Sequence, residues 1–256
     1  MTYYIVGTGN TAWFIATKLH AAGHTCKAVY GRDITKATEL ANSIGSIARD
    51  ITEGIPDDAD ACILAVSDNA IAQIAANLHF KTTLLLHTAG AVSSDILSKS
   101  SVNYGVIWPI YSITKQQLPE TKNIPTAIEI NNNALLPTLK KVTDSFTNTV
   151  YEADSDKRKA MHLAAVFSNN FSNHLFTIAE KLCEEQQIPF STMIPIIAQT
   201  AERINRQSPI QLQTGPAKRN DAATMDAHKN MLSANPEWED IYISISASIL
   251  KMYTKE

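Results

Sequence analysis

The residues Tyr3-Tyr4-Ile5-Val6-Gly7-Thr8-Gly9-Asn10-Thr11-Ala12 decide the reading of this chain. A short apolar run suited to a buried strand passes without a spacer into Gly-x-Gly-x-x-Ala and then into an amphipathic stretch, Thr11 to Ala22. In such a turn Gly7 allows the chain to reverse tightly and Gly9 lets the backbone approach a pyrophosphate. Ala12 is small enough for helix and strand to pack closely. The anion then sits against the free N–H groups of the helix start, formed by Thr8, Asn10 and Thr11 with their neighbours. Glycines also serve ordinary turns, so the strand before and the helix after are what make this pattern a dinucleotide fingerprint.

Outward from this point, short apolar runs alternate with helical patterns as far as about Ile130. The runs are Tyr3 to Gly7, Thr25 to Tyr30, Ala61 to Val66, Thr83 to His87, Val102 to Ile107 and Thr126 to Ile130. Between them Thr11 to Ala22, Ile34 to Ser43 and Asn69 to Leu78 repeat apolar residues every three or four positions. Strand and crossover helix in alternation predict an α/β fold, a Rossmann doubly wound parallel sheet. We place this domain at residues 1–150 and a helical domain at 151–256.

The end of the second run bears on which dinucleotide is held. An acid there would bond the ribose 2′-OH, whereas Val29-Tyr30-Gly31-Arg32-Asp33 puts Arg32 at the tip. A guanidinium suits a 2′-phosphate by charge and by its forked donors, which favours NADP over NAD. Asp33 is read as a helix cap that could also reach a ribose, and Arg32 has the alternative of a solvated surface charge. Val66, Ser67 and Asp68, and likewise His87, Thr88, Ala89 and Gly90, fall at the C-terminal ends of runs, the edge where open sheets bind ligands. Ser67 is expected to line the nucleotide and His87 to Gly90 to lie nearer the nicotinamide. His87 has the competing reading of a histidine satisfied within a strand end, and Trp108-Pro109 either walls the site or packs.

Beyond about Tyr151 the pattern changes: Asp154 to Gln187 keeps helical periodicity with no proline or glycine, which predicts one long helix. Pro189, Pro195, Pro209, Pro216 and Pro236 then punctuate helical segments, giving three more helices. On the long helix His162, Asn169 and Asn173 share a narrow stripe at about 100° per residue, with Asn170 beside it. Histidine with amides can donate a proton to, or polarise, a C=O or C=N bond that accepts hydride. The plain alternative is a solvated or packing face. A second group, Thr214-Gly215-Pro216-Ala217-Lys218-Arg219-Asn220-Asp221, is a turn feeding a helix with Thr224 and His228. It could hold an anionic group through Arg219, or Asp221 could simply cap the helix.

Composition narrows the classes. A net charge of −3, with 18% charged residues and no charge block, argues against a nucleic-acid partner. The three cysteines, Cys26, Cys62 and Cys183, form neither a C-x-x-C pair nor a disulfide framework, and are read as reduced core residues of a cytoplasmic protein. No stretch reaches membrane-spanning length, Met1 to Val6 lacks a signal peptide's basic residues, and no metal-binding spacing stands out.

Together GTGNTA, ILAVSDNAI, LLLHTAGAVSSDIL, VIWPIYS, MHLAAVFSNNFSNHL and TGPAKRND resemble the Rossmann-like NADP oxidoreductases with a helical C-terminal domain of unknown function. The resemblance spans nearly the whole chain. Its wider relatives are pyrroline-5-carboxylate reductase, ketopantoate reductase, deazaflavin-linked NADP reductases and β-hydroxyacid dehydrogenases. It implies nucleotide binding and a homodimer, and the positions matching its motifs are His162, Asn170, Arg219, Asp221 and His228. β-Hydroxyacid dehydrogenases carry a catalytic lysine three residues before the paired asparagines, where this chain has Val166. A lysine-based mechanism is therefore not expected.

The expectation is an NADP-dependent reductase of a small, anionic oxo or imino compound. His162 or His228 would supply the proton, Asn169 or Asn170 orient the acceptor, and Arg219 hold the anion, with Asp221 nearby. The rival readings are a non-catalytic NADP-binding regulator and, through Asp33, an S-adenosylmethionine enzyme. Apolar residues on the long helix, Phe167, Phe171, Leu175 and Ile178, predict a dimer surface.

Overall fold

Alternating side chains along the first strand, Tyr3 and Ile5 against Tyr4 and Val6, feed two separate apolar layers, one on each face of a sheet. The computed structural model describes residues 1–254. The strands of that sheet are β1 (Thr2–Val6), β2 (Thr25–Gly31), β3 (Ala48–Asp50), β4 (Ala61–Leu64), β5 (Leu84–His87), β6 (Tyr104–Pro109), β7 (Thr126–Ile130) and β8 (Val150–Glu152). Their spatial order is β3-β2-β1-β4-β5-β6-β7-β8. From β3 to β6 every neighbour is parallel, and the order reverses between β1 and β4. That reversal opens the crevice in which doubly wound sheets hold ligands.

The helices α1 (Asn10–Ala21), α2 (Ile34–Ser43), α3 (Asp68–Ala75) and α4 (Leu136–Thr143) belong to this part of the chain. One layer gathers Phe14, Ile15 and Leu19 of α1 with Leu139, Val142 and Phe146, and Phe14 meets Phe146 edge-on at 5.3 Å. The other packs Ile71 and Ala75 of α3 under Leu64 and Leu85.

The sheet is not wholly parallel as expected. β7 runs antiparallel to β6, and β8 lies parallel to β7. The connection at 110–125 contains no helix, and a strand can return parallel only through a long crossover. The added strands β3 and β8 are three residues each, too short to show a period of two.

Two compact units make up the chain, Met1–Asn170 and a second from Phe171 onward. The first includes α5 (Ser155–Ala165), whose start is capped by Asp154 accepting from the Lys157 N–H at 2.8 Å. Arg158 of α5 is fully buried and paired with Glu129 of β7, which ties this helix to the sheet. The helix expected over Asp154 to Gln187 is therefore shared between the units. It also changes form: α5 leads into a π turn at Val166–Phe171 and then α6 (Ser172–Glu185). The Ser168 hydroxyl donates to the Ala164 carbonyl at 2.9 Å, an i−4 bond that loosens the regular ladder at this point.

The second unit is helical, with α6 followed by α7 (Ile194–Ile204), the single turns α8 (Pro209–Leu212) and α9 (Pro216–Arg219), α10 (Ala222–Leu232) and α11 (Pro236–Tyr253). Five α-helical pieces and a 3-10 turn at Phe190–Thr192 follow the long helix where three helices were expected. Pro195, Pro209, Pro216 and Pro236 stand in first turns, where a missing N–H costs nothing, so they start helices rather than divide them. Of its described residues only Cys183, Ala217 and Leu232 are buried.

Candidate dinucleotide site and substrate pocket

The turn after β1 takes the form its glycines predict. Gly7 has φ +115°, where a side chain is strained, and a Cβ there would collide with the Ala65 carbonyl. Its N–H donates to the Tyr30 carbonyl at 2.8 Å, which ties the turn to β2. Gly9 is the N-cap of α1, and a Cβ built on it meets nothing within 4 Å. Open space above the first N–H groups of a helix is what a pyrophosphate requires, so the residues present fit a dinucleotide.

That space belongs to a cavity of about 640 Å³ lined by Gly7, Thr8, Gly9, Asn10, Thr11, Gly31, Arg32, Val66 and Ser67, all anticipated from sequence. Lys36, Ile51, Ala70 and Ile74 also line it and were not anticipated. Lys36 had a readable signal, a cation on the first turn of the helix that follows Arg32. Five anticipated residues lie elsewhere, Thr88 and Gly90 among them. Ala12 is fully buried beneath the turn, where it permits the close packing, and Asp68 is exposed on the first turn of α3. His87 is fully buried and its Nδ1 accepts the Ala89 N–H at 3.1 Å, so the ring shapes its own strand end rather than facing a nucleotide. Burial pushes the His87 imidazole down to about 4, with the Arg158 charge adding to the effect, so it is neutral at ordinary pH.

The residue that would answer a ribose diol is already engaged. Asp33 caps α2, accepting from the Lys36 N–H at 3.2 Å, and its carboxylate lies 3.1 Å from the Lys36 ammonium. These bonds hold it below the usual carboxylate range. Arg32 is exposed on the cavity wall and makes no ion pair among the described residues.

A second cavity of about 530 Å³ opens at the C-terminal end of β6, lined by Trp108, Pro109, Ile110, Tyr111, Ser112, His162, Ala165, Ser168, Asn169 and Asn170. His162, Asn169 and Asn170 thus come together, with Trp108-Pro109 as a wall. The His162 ring stands edge-on to the Trp108 indole, centroids 5.5 Å apart at 65°. Gly90 lies against both: a Cβ on it would come within 2.6 Å of Trp108 Cε2 and 2.9 Å of His162 Nδ1. Gly90 therefore belongs to this wall, and Thr88 beside it is buried with its hydroxyl 3.5 Å from the Leu64 carbonyl. The π turn sets Ser168, Asn169 and Asn170, three consecutive polar residues, along one cavity, and Asn173 of the expected stripe falls in the second unit. The sequence stripe assumed a regular 100° step, which the π turn breaks. Tyr111 and Ser112 were missed, since nothing in a single sequence marks a loop residue as facing a helix, and Ser168 was missed because the π turn that carries it has no sequence signal.

The other three anticipated residues lie in the second unit. Asp221 caps α10 through the Thr224 N–H at 3.1 Å and hydroxyl at 2.8 Å, bonds that hold its carboxyl below the usual range. His228 Nδ1 lies 2.9 Å from the Tyr242 hydroxyl, and the rings meet edge-on at 5.6 Å. Arg219 is exposed at the end of α9, while Lys218 donates to the Gln213 carbonyl at 3.0 Å and covers the Tyr253 ring. No group of three or more His, Cys, Asp or Glu side chains converges to hold a metal among the described residues.

Comparison with known proteins bears on this geometry. Residues 2–89 match the family described as NADP oxidoreductase, coenzyme F420-dependent, and residues 124–249 match a domain of unknown function (DUF2520). A solved Bacteroides fragilis protein that carries an NADP oxidoreductase name is 33% identical over 98% of both chains, with a TM-score of 0.90. The chain belongs to this NADP oxidoreductase family. Two more distant structures share the fold. Pyrroline-5-carboxylate reductase of Streptococcus pyogenes is 20% identical over 97% of this chain and 98% of its own, with a TM-score of 0.65. An imine reductase of Myxococcus stipitatus in complex with NADP+ is 14% identical over 99% and 93%, with a TM-score of 0.61. A variant of the latter was solved with NAD+, at 14% identity over 98% and 93% and a TM-score of 0.65. No curated protein matches the chain. The family accounts for both halves of the sequence, and no helix among the described residues is long and apolar enough to cross a membrane.

Proposed function

We propose that this family member is an NADPH-preferring reductase of the C=O or C=N bond of a small oxo or imino compound. The observation that carries the cofactor preference is the pairing of an engaged Asp33 with an unpaired Arg32 at the cavity wall. A 2′-phosphate would meet Arg32, with Lys36 as a second cation, while the pyrophosphate would rest over Gly9. When bound, the nicotinamide supplies the hydride.

The chain's own residues would do the rest. His162 is half-buried at the wall of the second cavity and is the group that can give or take the proton of the reduced atom. The amides of Asn169 and Asn170 offer N–H donors to a developing oxyanion or amide, and Trp108 and Tyr111 exclude water from an apolar substrate face. The lining contains no lysine or arginine, so this reading does not require the anionic substrate that sequence suggested. The named activities of the relatives, pyrroline-5-carboxylate and imine reduction, both concern C=N bonds and make cyclic imines the first compounds to try.

The test is NADPH oxidation followed at saturating cofactor across a panel of oxo acids, cyclic imines and neutral ketones, with His162→Gln alongside. Turnover with one class, lost in the variant, is the expected result. Tight NADPH binding without turnover on any class would favour a non-catalytic NADP-binding regulator instead.

We also propose that the second unit is completed by a second copy of the chain. Neither α7 nor α11, two of its longest helices, buries a single residue, and Ile194, Ile196, Ile243 and Ile245 are exposed on them. Apolar faces of this extent need a cover, and an isologous dimer supplies it from the same sequence. Sedimentation at micromolar concentration should give a dimer; a monomer retaining the full helical signal would refute this.

A further inference from the structure

Arg158 and His162 are four residues apart on α5 and so share a face. Arg158 is fully buried. Its Nη1 donates to Glu129 of β7 and its Nη2 to the Val92 carbonyl, in the segment that follows Gly90. Glu129 in turn accepts from the Ser94 hydroxyl at 2.7 Å and the Ser155 hydroxyl at 3.1 Å. One guanidinium thus fastens together the start of α5, strand β7 and the Gly90 loop. One turn further along α5, His162 stands against Trp108 and Gly90.

Stability does not explain why an arginine occupies this place. Desolvation of a buried ion pair commonly cancels its attraction, and apolar replacements of similar volume are often neutral or better. The Nε of Arg158 has no hydrogen-bond partner among the described residues, which adds to the cost. What a planar guanidinium supplies, and an apolar side chain does not, is direction: two donors in fixed relation hold two acceptors at set positions. Displacing α5 would carry His162 away from the Trp108 edge and from the bare Gly90 backbone against which it stands.

We propose that Arg158 is a positioning residue, which through Glu129 and the Val92 carbonyl sets α5 against the Gly90 loop and so holds His162 edge-on to Trp108. The proposal rests on the reading of the Trp108–His162 cavity as the substrate site. Its test does not need a substrate. In a Trp13→Phe, Trp238→Phe background Trp108 is the single tryptophan of the chain. Its emission at one fixed pH reports the edge contact with the neighbouring imidazole, and His162→Gln should change the intensity by an amount that measures that contact.

In the Arg158→Met background the same His162→Gln difference in emission should be at least threefold smaller while far-UV circular dichroism stays native. Arg158→Lys should restore part of it. If Arg158→Met fails to fold, Arg158→Met with Glu129→Met removes both charges and gives the same reading. An undiminished His162→Gln difference in the folded variant, with only a lowered melting temperature, would overturn the proposal and leave Arg158 a structural residue. NADPH affinity measured on the same proteins reports on the nucleotide site separately, so failure of the functional reading would not be mistaken for failure of this one.

Discussion

Replacing Arg32 by alanine isolates the contact on which the cofactor preference rests. The side chain is exposed, lines the dinucleotide cavity and makes no ion pair among the described residues, so its removal breaks nothing in the fold. A charge-assisted hydrogen bond is worth about 1.5–3 kcal/mol, and solvent screening at an exposed site argues for the lower end. At about 1.4 kcal/mol per decade, NADPH should bind roughly ten- to thirtyfold more weakly, while NADH, which lacks the phosphate, should be unaffected. Lys36 divides its charge with Asp33 at 3.1 Å, so Lys36→Ala should cost less, about threefold.

Isothermal titration of both dinucleotides into wild type and variant gives the answer directly. The wild-type preference should shrink as salt rises, because an exposed phosphate pair is screened within about 8 Å at physiological ionic strength. Equal losses for NADPH and NADH, or none for either, would refute the reasoning. So would a selective loss of NADH in Asp33→Ala, since that would make Asp33 a ribose ligand rather than a helix cap. As a cap alone, Asp33→Ala should lower stability by about 1 kcal/mol and move the ratio of the two affinities further toward NADPH, because Lys36 is released from its pair.

Gly9→Ala should fold with stability within about 0.5 kcal/mol of wild type, because its Cβ meets nothing within 4 Å, yet lose NADPH binding tenfold or more. Gly7→Ala should instead destabilise the fold by about 3 kcal/mol or more, read as a shift in the urea midpoint, because φ +115° and the Ala65 carbonyl both oppose it. His162→Gln should cut turnover about a hundredfold with the NADPH dissociation constant unchanged; comparable losses in both would deny it a proton-transfer role. His87 is depressed to about 4 in the folded state from 6.5, so the unfolded chain binds the proton first as pH falls. Its contribution to stability is complete above pH 6.5 and is lost as pH falls toward 4, by an amount on the order of 3 kcal/mol. Urea midpoints at pH 7 and 5 should therefore differ more in wild type than in His87→Gln.

How much of this could be read in advance depended on whether the determinant was local. The turn after β1 was legible because each glycine answers a nearby constraint: Gly7 its own backbone turn at φ +115°, Gly9 the helix start. Arg32 was legible for the same reason, lying one residue past a strand end. The reversal of β7 was not, since its cause is a helix missing from the 110–125 connection, and an apolar run reads the same in either direction. Prolines misled the count of helices because a proline that starts a helix and one that ends it look alike in sequence.

Harder still were residues defined by what crosses between distant segments. Glu129 and Arg158 are 29 positions apart, and each alone reads as an ordinary surface charge, the commonest fate of such residues. The burial of Arg158 against a half-buried Glu129 follows only once β7, α5 and the Gly90 loop meet. His162 shows the intermediate case. Its residue type and its place on a long helix suggested chemistry, but the partners that give it a setting, Trp108 on β6 and Gly90 after β5, come from two other elements. The HTAG strand end was expected to lie near the nicotinamide, with His87 read equally as a functional or a satisfied strand-end residue: the histidine faces inward to close its own turn, while the glycine, by having no side chain, admits the histidine of another helix to the pocket wall. A small residue at a strand end can therefore mark a site as strongly as a titratable one, because what it leaves out decides what may approach.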